Sequence, residues 1–178
     1  MGVGLALLWL LELVDQLTSH WLDTFGIVTR QVESLPAIFT APFLHAGWNH
    51  LIANSGPFAV LGFLVFLGGL ARWVWTSLIS ITTSGLTAWL ISPPHTITLG
   101  ASGLIFGWLT YLLARGIFSR NLTQILIAVA VFLVYGSVLW GVFPSTQLVS
   151  WQGHLGDAIG GVLAAYWLDR RASRRPVV

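Results

Sequence analysis

The chain has 178 residues, 56% of them hydrophobic and only 8% charged, where an ordinary soluble domain is about a quarter charged. Eight basic and six acidic side chains cannot coat a water-facing surface, and a mean hydropathy of +0.82 excludes a disordered chain, whose mark is low hydrophobicity with high net charge. With no cysteine, disulfides, thiolate metal sites and a cysteine nucleophile are excluded, and the chain reads as an integral membrane protein.

A helix needs about 20 apolar residues to cross the hydrocarbon core, and six stretches approach that length in chain order. The first, 3–17, is short and carries Glu12 and Asp15, read as packing or outer-edge residues. The second covers 48–67 and the third 72–91. The fourth, 101–114, is short unless residues 98–100 extend it. The fifth covers 122–142 and the sixth 151–168. A transmembrane β-barrel would need segments of alternating polarity, whereas 59–70 and 124–134 are almost continuously apolar. The expectation is one six-helix membrane domain with a short basic tail at 169–178. No Lys or Arg occurs in the first 29 residues, so no charged start of a cleavable signal peptide is expected.

The pI near 9.7 is not a nucleic-acid signal. There is no lysine, and half of the arginines are Arg170, Arg171, Arg174 and Arg175 in the tail. With six spans, Arg72, Arg115 and Arg120 share the side of that tail and only Arg30 lies opposite. The positive-inside rule then puts both termini in the cytoplasm. The loops at 18–43, 92–99 and 143–150 fall outside, the first lying against the membrane. Trp48 and Trp151 at outer span ends, with Trp73 and Trp167 at inner ones, fit the aromatic belts of the two interfaces.

Polar residues inside spans are costly and face a protein interior or a water-filled cavity. Three clusters qualify: His45, His50 and Asn54; Ser102 within Gly100-Ala101-Ser102-Gly103; and His154 with Asp157. The second, fourth and sixth spans all run from outside to inside. His50 with Asn54, Ser102, and His154 fall in their first turns, at one depth near the outer face. His50 and Asn54 are four apart and share a helix face. Gly103 with Gly107 and Gly156 with Gly160 are GxxxG pairs that let helix backbones approach closely, which would hold Ser102 near His154. A serine hydroxyl becomes nucleophilic when a base takes its proton, and His154 is the available base. Asn54, His50 and the Ser102 amide are donors for an oxyanion.

These residues resemble the rhomboid family of intramembrane serine proteases. Gly100-Ala101-Ser102-Gly103 looks like the family's GxSG, and His154 followed by Gly156, Gly160 and Gly161 looks like its HxxGxxxG. His50 and Asn54 look like the HxxxN of its second span, and His45 falls where the family often has a further histidine. The likeness covers about residues 36–168. It implies a six-transmembrane-helix all-α bundle and a serine endopeptidase that cleaves membrane-anchored proteins near the outer face. Ser102 and His154 would form the catalytic dyad, with His50, Asn54 and the Ser102 amide binding the oxyanion. His45, Gly100, Gly103 and Phe106 would support the site. No metal and no cofactor is implied; the partners are transmembrane substrates and the bilayer, and the place is a bacterial plasma membrane. Span five with the loop at 143–150 would be the gate.

The chain departs from the family at two motifs. Pro36-Ala37 stands where many members have Trp-Arg in the first outer loop, and Phe106 where many have a tyrosine stacked on the histidine. His45 reads as structural, holding the long loop, and His20 and His95 read as exposed. Asp157, three residues after His154 on one helix, reads as bonded to another helix rather than as a third catalytic member. Two other functions remain in view: a non-catalytic rhomboid-like binder or chaperone of membrane proteins, and a small channel. The channel would need polar residues continuing inward, and the inner halves of spans two and four are almost wholly apolar.

Overall fold

A computed structural model describes residues 1–144 and 150–169, and the chain in it is mostly helical. The α-helices are α1 (Gly2–Leu17), α2 (Trp48–Phe66), α3 (Leu70–Ile91), α4 (Ser102–Ser119), α5 (Leu122–Tyr135) and α6 (Trp151–Asp169). Two two-residue strands, β1 (Ile27–Val28) and β2 (Ile97–Thr98), pair antiparallel with Ile27 opposite Thr98. Helices α2 and α3 and the stretch Leu122–Val142 are long and apolar enough to cross a membrane. Residues 170–178, which include most of the basic tail, and residues 145–149 of the expected gate loop lie outside the described residues.

Helix α4 starts within one residue of expectation and departs from it at the other end. Residues 98–100 do not extend it, because Ile97 and Thr98 are committed to the strand pair and Gly100 breaks the chain direction at φ +125°. The helix lengthens instead at its other end, to Ser119. It is apolar on all sides, which suits a helix at the centre of a bundle. Leu104 to Leu112 are all buried, and α2, α3, α5 and α6 contact it. Helix α5 shows the opposite extreme: only Val131 is buried along its length. It gives way after Tyr135 to a tighter 3₁₀ turn over Gly136–Val142.

The glycine pairs sort differently from the expectation of one α4–α6 seam. Gly160 packs against Ser80 and Thr83 of α3, and Gly156 against Thr83 and Thr87 of the same helix. On α6 it is Gly161 that meets α4, at Thr110, the Gly107 carbonyl and the Tyr111 amide. Helix α6 uses Gly156 and Gly160 for α3 and Gly161 for α4, whereas on α4 Gly103 and Gly107 meet both neighbours, Ser84 and Ser80 of α3 and Asp157 of α6.

At the end of the bundle that carries the arginines, Asp169 is buried and joins three helices. It accepts from Tyr111 Oη at 2.9 Å and lies 3.2 Å from Arg115 Nε and 3.3 Å from Arg72 Nε. The start of α3, the end of α4 and the end of α6 therefore share one side. Trp73, near the start of α3, packs on Trp108 at 6.0 Å between ring centres.

The long first loop is held against the bundle by short 3₁₀ turns and the strand pair. Ile38 sits over Gly85 of α3, where a Cβ would lie 2.7 Å from it. Asp15 is buried and accepts from the Leu22 and Asp23 amides at 2.7 and 3.3 Å, so it caps the turn that starts the loop. Glu12 is buried too and accepts from Gln16. His20 is exposed as expected, but its Nδ1 lies 3.0 Å from Asp15 and 3.6 Å from Asp23. Burial, then the Asp15 carboxylate, raise the Asp23 carboxyl above its ordinary range.

Candidate active site

The first turns of α2, α4 and α6 meet on one cavity of about 260 Å³. Ser102, His154, His50, Asn54, Gly100, Gly103 and Asp157 all line it, with an apolar wall that includes Ile27, Ile38 and Ile81. Of the expected site residues, only His45 and Phe106 are absent from the lining. Both stand directly behind it.

The serine turn is built by close backbone approaches. Gly100 has φ +125°, a left-handed conformation that side chains disfavour. A Cβ there would also lie 2.6 Å from His50 Cε1. The Gly100 amide donates to the Ala41 carbonyl at 2.9 Å, and the Ala101 amide donates to His45 Nε2 at 3.4 Å. Both bonds tie the turn to the segment before α2. His45 is buried and stands edge-on to His50 at 5.1 Å. Burial, with His50 adding to it, pushes its pKa down to about 4, so the ring stays neutral and keeps the lone pair that Ala101 needs.

Ser102 is the first residue of α4. The first amides of a helix have no acceptor within it and favour negative charge. The serine side chain takes no hydrogen bond among the described residues. Asn54 is buried, and its Nδ2 has no partner among them. An amide NH2 left unpaired on the wall of a cavity is a donor awaiting an acceptor.

His154 lies in the first turn of α6 and is almost wholly buried. Its ring stacks on Phe106 at 4.8 Å between centres and 14° between planes, so phenylalanine keeps the stacking that tyrosine supplies elsewhere. Nδ1 lies 3.1 Å from the Gly141 carbonyl oxygen. A carbonyl only accepts, so in the neutral ring Nδ1 carries the hydrogen and Nε2 holds the lone pair.

Asp157 makes no hydrogen bond to His154 among the described residues. It is fully buried, and its carboxylate lies beside Gly103 of α4 and Ser84 of α3. A Cβ on Gly103 would lie 3.1 Å from its carboxylate and 3.0 Å from the Ser84 hydroxyl, which itself donates to the Gly153 carbonyl at 3.2 Å. Ser84 and Gly141 are site residues that the sequence reading missed. Ser84 was signalled by the small residues Ser77, Ser80 and Ser84 at helical spacing on α3.

The Rhomboid domain profile matches residues 32–171. An uncharacterized protein of Mycobacterium tuberculosis is 48% identical over 172 residues, covering 92% of this chain and 72% of that protein. Rhomboid-like protein 11, chloroplastic, of Arabidopsis thaliana is 28% identical, covering 94% of this chain and 66% of its own length. Rhomboid-like protease 5 of Toxoplasma gondii is 33% identical over 134 residues, which are 70% of this chain but only 15% of that protein.

Proposed function

The chain belongs to the rhomboid family, and on that footing we propose that it is an intramembrane serine endopeptidase acting through Ser102 and His154. The observation that carries the reading is the convergence of both residues on one cavity, with the imidazole oriented by Gly141 so that Nε2 is left as the base. In the first step Ser102 Oγ gives its proton to His154 Nε2 and bonds to the carbonyl carbon of the scissile peptide. The oxygen of that carbonyl becomes the oxyanion, received by Asn54 Nδ2, a His50 ring N–H and the Ser102 amide. The imidazolium then protonates the leaving nitrogen, the C–N bond breaks, and an acyl-serine remains. Water loses a proton to the same Nε2 and adds to the acyl carbon. Collapse breaks the C–Oγ bond, and the proton returns to serine. Resting hydrogen bonds of such sites are often unmade and tighten when substrate arrives, which accommodates the unbonded hydroxyl of Ser102.

The remaining parts of the reading follow from this one. All six helices span a bacterial plasma membrane as a single domain with both termini cytoplasmic, which places the cavity near the outer face. Transmembrane proteins are the substrates and enter from the lipid past α5, the helix with least burial against the bundle. No metal or cofactor takes part in the steps above.

The test is cleavage of a tagged single-span substrate by the reconstituted protein. Ser102→Ala and His154→Ala are each expected to abolish product, and a fluorophosphonate is expected to label wild type but not Ser102→Ala. Cleavage that survives Ser102→Ala overturns the mechanism. Substrate that is captured but left intact by wild type replaces it with the non-catalytic binder.

A further inference from the structure

Resting on the proposed Ser102–His154 chemistry, we infer that Gly141 is the positioning residue for the base and that Pro144 keeps its carbonyl available for that task. Among the described residues the Gly141 carbonyl is the acceptor on His154 Nδ1, at 3.1 Å. Among the described residues no carboxylate takes that place, and the Asp157 carboxylate lies beside Gly103 and Ser84. The approach requires glycine: a Cβ at Gly141 would lie 2.8 Å from Nδ1 and 3.3 Å from Cε1 of the same ring. Phe106 stacks on one face of the imidazole, and its Cε2 would lie 3.6 Å from the same Cβ, so an added methyl would meet both rings.

The carbonyl is free for a reason written in the chain. Gly141 lies in the 3₁₀ turn over Gly136–Val142, where a carbonyl is normally consumed by the amide three residues on. The Trp140 carbonyl is consumed that way, by the Phe143 amide at 3.1 Å. Three residues after Gly141 stands Pro144, which has no amide hydrogen. The pattern Gly-x-x-Pro therefore combines a close approach with an uncontested acceptor. The base sits on α6, but its tautomer is set from the end of the α5 segment.

The experiment compares full-length wild type with Gly141→Ala, Pro144→Ala and Gly136→Ala in reconstituted membranes. Gly136 is the control, in the same turn, where a Cβ would meet only the Phe132 ring of its own segment at 3.2 Å. Gly141→Ala is expected to lower kcat about 10- to 100-fold, as misplacing a reacting group does, with KM within about threefold. Gly136→Ala should stay within about twofold on both. In ¹⁵N-histidine spectra, the His154 signal of wild type should show hydrogen on Nδ1. Gly141→Ala and, to a lesser degree, Pro144→Ala should shift it toward mixed tautomers. Unchanged kcat with an unchanged His154 signal in Gly141→Ala overturns the inference. Should that variant not fold, an unchanged signal in Pro144→Ala does so. The tautomer readout stands apart from cleavage, so a wild type that cleaves nothing refutes the protease reading without deciding this one.

Discussion

Two buried carboxylates of α6, Asp169 toward the arginine end and Asp157 beside the cavity, have opposite surroundings. At the arginine end, Asp169 is matched by Tyr111, Arg72 and Arg115, and α3, α4 and α6 are tied by that one carboxylate. Beside the cavity, Asp157 meets no cation among the described residues and has the Ser84 hydroxyl near its carboxylate, Asn54 Nδ2 has no hydrogen-bond partner among them, and Ser102 lines the cavity. An unsatisfied buried polar group costs about 1–3 kcal/mol. The matched carboxylate ties three helices together, and the cavity keeps a donor open to an incoming acceptor.

Three substitutions sharpen or break this contrast. The largest effect on stability is expected at the matched end. Asp169→Asn strands two arginines beside one another, and losing one partner of a buried pair costs about 3–5 kcal/mol. Thermal unfolding in detergent should fall accordingly, while cleavage per folded molecule stays near wild type. A large loss of specific activity there would mean that the two ends are not separable. Asn54→Ala should behave in the reverse sense, with kcat reduced about 10²–10³-fold, as for removal of one oxyanion donor. Its stability should be unchanged or slightly raised, because an unpaired buried amide is gone. Equal kcat would remove Asn54 from the site.

The smallest effect concerns pH. The ring of His45 titrates near pH 4 in the fold, against 6.5 when free. Between those values the unfolded chain binds more protons than the native one. The contribution of His45 to stability is thus whole above about pH 6.5 and is lost as pH falls toward 4. His45→Gln keeps an acceptor for the Ala101 amide and should flatten that part of the pH–stability curve, read by unfolding midpoints at pH 7 and pH 5.

The sequence was informative where chemistry is carried by side chains that a bilayer penalises. Ser102, His154, His50 and Asn54 stood out because so few polar residues compete with them, and arginine placement put them at one depth. The helix ends were legible where apolar runs stop, as at the start of α4, but its other end was set too early, because the helix runs on past Arg115, whose charge is matched by Asp169, to Ser119. Glycine seams were found but assigned to one neighbour, since spacing alone does not reveal how many helices surround α6. Gly141 escaped notice for a deeper reason: its contribution is a main-chain oxygen, which every residue possesses.

The place of α6 has a consequence for how the protein is made. Ser102 and most of the cavity wall belong to helices that emerge early, whereas His154 rides on the last one described. Helix α6 also fills the gap between α3 and α4. A nascent chain therefore carries Ser102 into the membrane before His154, and the two meet only when α6 joins α3 and α4. On the proposed chemistry, synthesis itself delays cleavage until α6 is in place.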